Sequence, residues 1–261
     1  MDKIANIPYL NSIGQGTKYG GRKNKKNRIR LNRLNSEKEI YTITKRRLRI
    51  EYFLFNIAVS MNIATYRYFV LHKPAGIVSQ FVSDSPKVKL LGSLDYVFPE
   101  GTHAIGRLDK DSEGLLLLTT DKRITGLLFN TPKKHVRTYL VMVKNVVSEE
   151  TLKRLKEGVF IRIKQTEFHH AVPVDIRVVS DPFVYYPYAE DVRCQYPHTW
   201  LLISLVEGKY RQIRKMVLSV GHRCQRLVRL SIEDMMLGAA QPGEVKEFPK
   251  EDYFRLLRLE E

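Results

Sequence analysis

The sequence predicts an α+β fold. From Tyr66 onward, strand-length apolar runs bounded by turn residues are many and helical patterns are few. The central run, Leu115 to Thr120, follows a charged turn and a glycine and ends at Thr-Thr-Asp, which favours a buried strand over a helix segment. With 261 residues, the chain has ample length for a core.

Residues 1–47 read as a disordered arm. Gly14 to Gly21 is glycine-rich, and Lys18 to Arg33 is dense in Lys, Arg and Asn, with too little apolar surface to offset ordering entropy. Residues 1–60 form a basic extension and 61–261 the globular part of the chain. The arm reads as an RNA-binding tail. The competing reading is a non-native extension with Met61 as the true start. Residues 48–61 faintly resemble a signal segment, but they lie too deep in the chain and Glu51 interrupts them. They are too short and polar to span a membrane, and the chain is expected in the cytoplasm.

Tyr66–Leu71 alternates like a strand and turns at Lys73-Pro74-Ala75-Gly76. Val78–Val82 is a second short strand, and Val88–Phe98 includes a short helix. Lys122–Asn130 is a helix stopped before Pro132. Tyr139–Val143 is a strand. Ser148 caps a helix over Glu149–Glu157, whose core face is Leu152, Leu155 and Val159 and which Gly158 closes. Val172–Val179 is strand-like. Ser180–Thr199 is a loop long enough to suggest function or a lid. Trp200–Val206 is a strand. Tyr210–Val220 is a helix with Ile213, Met216, Val217 and Val220 inward, and with Arg211, Arg214 and Lys215 on a face that reads simply as solvated. Arg223–Ile232 is a last strand, and the tail after Glu247 is amphipathic and helical.

The formal charge is +16, which points to polyanionic partners such as nucleic acid. It is uneven: residues 1–60 hold 14 Lys/Arg against 4 Asp/Glu and contribute +10, leaving +6 for the rest. Two cysteines, Cys194 and Cys224, show no framework spacing and fit a reducing compartment. His169, His170, Cys194 and His198 match no zinc spacing, so no metal is assigned.

Chemistry centres on His103 to Asp121. Asp109 lies on a charged turn at the start of a buried strand, a rigid base suited to a reactive carboxylate. On spacing alone, the simpler reading is a turn residue paired with Arg107. The stretch Gly106-Arg-Leu-Asp-Lys-Asp-Ser-Glu-Gly-Leu-Leu-Leu-Leu-Thr-Thr-Asp121 resembles the GRLD-x-x-(S/T)-x-GLLLLT-x-D signature of the RsuA/RluB/RluE/RluF pseudouridine synthases. His72-Lys73-Pro74-Ala75-Gly76 resembles the family's K-P-x-G segment, Arg137-Thr-Tyr139-Leu-Val its K-x-Y-x-V segment, and Glu207 to Met216 its E-G-x-x-x-Q-(V/I)-(R/K)-R-M segment. The four occur in the family's order and cover about residues 66–248. Residues 1–60 do not resemble the S4 RNA-binding domain of many relatives, which points to the RluE type, as do the segments Tyr68–Pro74, Ser79–Phe81 and Tyr196–Leu201.

The resemblance implies that residues 61–261 are a catalytic domain with a long, mainly antiparallel sheet bent about a central cleft where two subdomains meet, and that it isomerises uridine to pseudouridine in RNA, with 23S rRNA as substrate. The alternatives are a uridine of tRNA or 16S rRNA, or a non-catalytic RNA-binding or ribosome-assembly factor. No cofactor is implied, and the chain is expected to act as a monomer. Asp109 would attack C1′ or take the C2′ proton. Arg214 would be its ion partner, and its removal would raise the carboxyl's pKa. Arg107 would hold the space vacated by the flipped nucleotide. Tyr139 and Ile213 would sandwich the uracil. Lys73, Lys209, Arg211 and Lys215 would contact phosphates. Arg137 stands where the family usually has Lys, which changes bonding geometry. Glu233 stands where the pattern R-x-x-I-G has glycine, which puts that turn in doubt.

Overall fold

The computed structural model describes residues 66–189 and 196–260, together with Lys45 and Arg49. The expectations for residues 1–60 and for Cys194 therefore lie outside the described residues, those two apart. Among the described residues, nine strands form one sheet, two form a separate hairpin, and four α-helices flank them.

The chain opens with β1 (Tyr68–Lys73), β2 (His103–Ile105) and β3 (Glu113–Thr119). Helix α1 (Arg123–Phe129) leads to β4 (Arg137–Lys144), and α2 (Glu149–Glu157) leads to the hairpin β5 (Val159–Arg162) and β6 (Phe168–Ala171). Then come β7 (Asp175–Val179), β8 (His198–Leu205), α3 (Gln212–Ser219) and β9 (Cys224–Ile232). The chain finishes with β10 (Met235–Met236), β11 (Val245–Phe248) and α4 (Lys250–Leu256). The sheet order is β11-β1-β3-β9-β4-β8-β7, with β2 on β3 and β10 on β9.

All pairings are antiparallel except β3 with β9, which meet in parallel over only two pairs, Glu113 with Val228 and Gly114 with Arg229. This junction joins the β11-β1-β3 part of the sheet to the β9-β4-β8-β7 part. It also explains Gly114, whose φ is +100°; a Cβ there would lie 2.3 Å from the Arg229 carbonyl oxygen and 2.7 Å from its nitrogen. No side chain fits between those backbones.

The sheet is buried on both faces. Leu116 and Leu118 enter one apolar cluster with Leu155 of α2 and Ile213, Met216 and Val217 of α3. Leu115 and Leu117 enter the other with Ile124 and Leu128 of α1 and Tyr253 and Phe254 of α4. A strand covered twice has no polar face, so four consecutive leucines replace alternation.

Most expected elements are present. Ser148 caps α2, its Oγ accepting from Thr151 N at 3.2 Å. Five expectations change. Val78–Val82 is no strand; it makes only a bridge between Ile77 and Lys89, because Ser79 is engaged elsewhere. The helix expected within Val88–Phe98 is a single 3-10 turn at Leu91–Ser93. The part of the expected loop around Tyr186 is core rather than lid: Tyr186 is fully buried with its hydroxyl 3.1 Å from His72 Nε2. The strand ending at Ile232 is not the last, and Val159 belongs to β5, not to α2. The turn lacking the expected glycine survives: Glu233 takes φ +49°, and its Oε1 accepts from Val136 N at 2.7 Å.

Candidate active site

The Asp109–Ser112 turn between β2 and β3 is held by its carbonyls. Ser112 N donates to Asp109 O at 3.0 Å, and Gly76 N to Lys110 O at 2.7 Å. Arg214 Nη2 donates to Asp111 O at 2.8 Å, and Lys73 Nζ to Ser112 O at 2.7 Å. Just upstream, Ser79 Oγ donates to Leu108 O at 2.8 Å and accepts from Leu108 N at 3.0 Å. Five carbonyls in a row, Leu108 to Ser112, thus accept hydrogen bonds: one from within the turn, the others from the 73–79 segment and from Arg214. A reactive side chain on such a turn is pre-positioned.

Asp109 opens into a cleft of about 530 Å³. Tyr139 of β4, Ile213 of α3 and Arg107 also line it, as do Arg137, Lys209 and Arg211. These seven expected residues therefore share one cavity. Tyr139 and Ile213 are buried; Arg107 and Lys209 are exposed at the opening. No ion pair joins Arg107 to Asp109 among the described residues, so the simple turn-pair reading does not hold.

Three expected residues stand elsewhere. Arg214 is not the ion partner of Asp109. Arg211 Nη1 lies 3.6 Å from Asp109 Oδ2, and no ion pair between Asp109 and Arg214 occurs among the described residues. Arg214 turns instead to the backbone of Asp111, to Ser112 Oγ at 3.2 Å and to the Asp111 carboxylate at 3.4 Å. The reason is local: Arg211 is the left-handed residue (φ +53°) that precedes α3, so the helix begins at Gln212 rather than Tyr210. Lys73 is no phosphate contact. It is wholly buried, and its ammonium is taken by the carbonyls of Ser112 and Pro74. Burial pushes the amine down to about 8. Lys215 lies over the Tyr210 ring and lines a neighbouring cavity of about 320 Å³, not the cleft itself.

The electrostatics are asymmetric. Arg211 donates to both carboxylate oxygens of Asp111, at 3.0 and 2.9 Å, which holds that carboxyl below its ordinary range and raises the guanidinium. Glu207 accepts from Gln212 Nε2 at 2.6 Å and meets His169 Nε2 at 2.7 Å. Arg137 lies over the Phe129 ring, 5.3 Å from its centroid, and burial lowers its pKa. Six cationic side chains line the cleft against two carboxylates, Asp109 and Glu207. Among the described residues no group of acids, histidines and cysteines could hold a metal ion.

Sequence reasoning passed over Arg229 as a site residue. It lines the cleft from β9, and its Nε donates to Leu115 O at 2.7 Å. The available signal was a lone cation in the apolar run Leu227–Ile232.

A cleft lined by an oriented carboxylate, an aromatic ring, an aliphatic wall and excess positive charge suits acid–base or covalent work on an anionic substrate. The family model of RNA pseudouridylate synthases matches residues 67–219. The ribosomal large subunit pseudouridine synthase E of Vibrio parahaemolyticus serotype O3:K6 is 34% identical over 182 residues, 69% of this chain and 73% of that one. Its namesake in Xanthomonas axonopodis pv. citri is 36% identical over 177 residues, 66% of this chain and 89% of that one. A solved structure, the crystal structure of pseudouridylate synthase, shares the fold with TM-score 0.56 at 23% identity, over 74% of each chain.

Proposed function

This chain belongs to the RNA pseudouridylate synthase family, and from that premise we propose that its cleft isomerises one uridine of large-subunit ribosomal RNA to pseudouridine, with Asp109 as the carboxylate acting at the sugar. The observation that carries this assignment is the Asp109 carboxylate, lining a cleft of about 530 Å³ on a turn whose every carbonyl is tied down. Arg211 is the cation beside it. In this reading the target nucleotide leaves its stack, and Arg107 at the opening holds the space behind it. The uracil lies between Tyr139 and Ile213. Asp109 either bonds to C1′ or removes the C2′ proton, the C1′–N1 bond breaks, the base turns, and C5 joins C1′. The C5 proton leaves and N1 gains one, so nothing is transferred overall. Lys209 and Arg211 at the cleft, with Lys215 beside it, would contact phosphates of the RNA, giving affinity that falls with salt. Arg214 and Lys73 hold the turn. The protein works as a cytoplasmic monomer, with residues 1–60 as an RNA-binding arm.

Tritium release from RNA labelled at uridine C5 tests the assignment. Wild type should release tritium and Asp109→Asn should not; equal release from both removes Asp109 from the chemistry. Mapping pseudouridines in total RNA from a deletion strain identifies the substrate: loss of a site outside large-subunit rRNA refutes that part. Deleting residues 1–60 should slow turnover at physiological salt, and an unchanged rate makes the arm dispensable.

A further inference from the structure

Arg229 carries an uncompensated charge. It is 5% exposed, and its Nη2 is buried without a hydrogen-bond acceptor among the described residues. A buried guanidinium left short of an acceptor is costly, and such groups call for an explanation. Its strand supplies the geometry. On the β4–β9 ladder Thr138 faces Ser231, but Tyr139 faces Arg229, so Leu230 is an extra residue in β9. A bulge of this kind re-aims side chains. Here it sets Arg229 directly across from Tyr139, on the cleft face. Two residues before Tyr139, Arg137 lines the same cleft and is also nine-tenths buried.

The cleft's acids are already engaged. Asp109 faces Arg211, and Glu207 is held by His169 and Gln212. Glu233, the other acid near Arg137, is held by Arg258 at 3.3 Å and by Val136 N. Arg229 Nη2 is therefore left for an acceptor that enters with the substrate, and Arg137, stacked on Phe129, lines the cleft beside it. Phosphates belong to the RNA backbone and stay near the opening, beside exposed Arg107 and Lys209. The deepest part of the cleft receives the base.

We propose that Arg229, supported by Arg137, stabilises the leaving uracil as an anion, its Nη2–H donating to a carbonyl oxygen of the base. This rests on the reading under Proposed function. When C1′–N1 breaks, its electron pair stays on N1 and spreads to the two uracil oxygens. C1′ is satisfied either by a new bond to an Asp109 oxygen or, after Asp109 takes the C2′ proton, by a C1′–C2′ double bond. The base is an anion on both routes. It loses that charge when C5 bonds C1′: on the first route the C1′–O bond to Asp109 breaks and frees the carboxylate, on the second Asp109 returns its proton to C2′; the C5 proton then departs and N1 is protonated. A donor already oriented in a site from which water is excluded lowers the barrier to the first step.

The test compares two RNA oligonucleotides, identical except for uridine or 5-fluorouridine at the target. Fluorine makes the base a better leaving group. Breakage is read in single turnovers as loss of the target nucleoside on nuclease digestion. Arg229→Gln should slow uridine breakage by about 10²–10³-fold with KM nearly unchanged, the loss typical for one such donor. The slowing on 5-fluorouridine should be at least tenfold smaller, and Arg229→Lys should recover part of the rate on uridine. A merely structural role slows both substrates alike. Because Arg229 Nε also holds Leu115 O, circular dichroism accompanies each variant. Arg137→Gln, which removes no backbone hydrogen bond, should show the same attenuation on a smaller loss. Equal slowing on both substrates overturns the proposal, as does an effect confined to KM, which marks a phosphate contact. Inactive wild type on uridine refutes the underlying function instead.

Discussion

Replacing Gly114 by alanine should be among the most damaging single-methyl changes available in this fold. Two costs add. A side chain at φ +100° is held in a sparsely populated backbone region, a cost of about 1–3 kcal/mol. The added Cβ would then sit 2.3, 2.7 and 3.0 Å from the O, N and C of Arg229, all of them backbone atoms that no rotamer change relieves. Forcing apart a packed junction costs about 1–3 kcal/mol more. The sum, about 2–6 kcal/mol, is a large part of the roughly 5–15 kcal/mol that holds a domain folded. With an m-value of about 2–3 kcal/mol/M in urea, the unfolding midpoint should fall by about 0.7–3 M. Turnover should fall as well, because the β3–β9 junction brings Asp109 and Arg229 into one cleft. Gly126→Ala is the control. It lies in α1, with nothing within 4 Å of the new Cβ, so it should raise stability by about 0.5–1 kcal/mol. A midpoint loss below about 0.3 M for Gly114→Ala, or a matching loss for Gly126→Ala, refutes the reasoning.

Lys73 should make stability rise with pH. Its amine is lowered to about 8 by burial, so the unfolded chain holds the extra proton between about 8 and the ordinary lysine value. The penalty, about 3 kcal/mol at most, is whole below pH 8 and shrinks above it. Urea curves at pH 7 and 9.5 should show wild type gaining on Lys73→Met; a constant difference contradicts this. The ion partner of Asp109 can be tested by double-mutant cycles on stability. Asp109→Asn should couple to Arg211→Met by about 0.2–1 kcal/mol, as for a partly exposed pair, and to Arg214→Met by nearly nothing. Equal coupling restores Arg214 to the role expected from the sequence. Asp121, at the end of β3, is wholly buried; burial opposes its charge, but bonds from Arg123 and Tyr68 prevail and hold its pKa below the ordinary value. Asp121→Ala should cost about 2–3 kcal/mol, lowering Tm by about 4–12 °C in a thermal melt at neutral pH. The carboxylate's contribution is present above the unfolded pKa and is lost as pH falls through the lower folded one, so the gap to wild type should close in acid; a gap that persists there speaks against it.

What was legible in the sequence was local. Ser148 and Gly158 bracket α2 because capping is a matter of adjacent residues. Leu115 to Leu118 announce a strand buried on both faces because both clusters draw on the same four residues. The hairpin β5–β6 escaped notice because each strand is four residues long, with Phe160 and Phe168 turned to solvent. The site shows the same division. Asp109, Tyr139 and Ile213 are carried by motifs and share the cleft. The choice between Arg211 and Arg214 turned on one dihedral angle, φ +53°, which no spacing reveals. Lys73 follows the same logic: a lysine beside Pro-Ala-Gly looks like surface, and only the turn stacked above it makes it interior. Arg229 became visible only when the bulge at Leu230 set it across from Tyr139.

The β3–β9 junction also imposes an order on biosynthesis. The segment bearing the carboxylate leaves the ribosome more than a hundred residues before the strand that must seat beside it. Until that later strand emerges, β3 can pair only with β1 and β2, and one flank of its leucines stays uncovered. Contacts so distant in sequence form slowly, and an unpaired apolar strand invites misassociation meanwhile. Each nascent copy therefore passes through an interval in which its most aggregation-prone segment is made and its catalytic chamber is not.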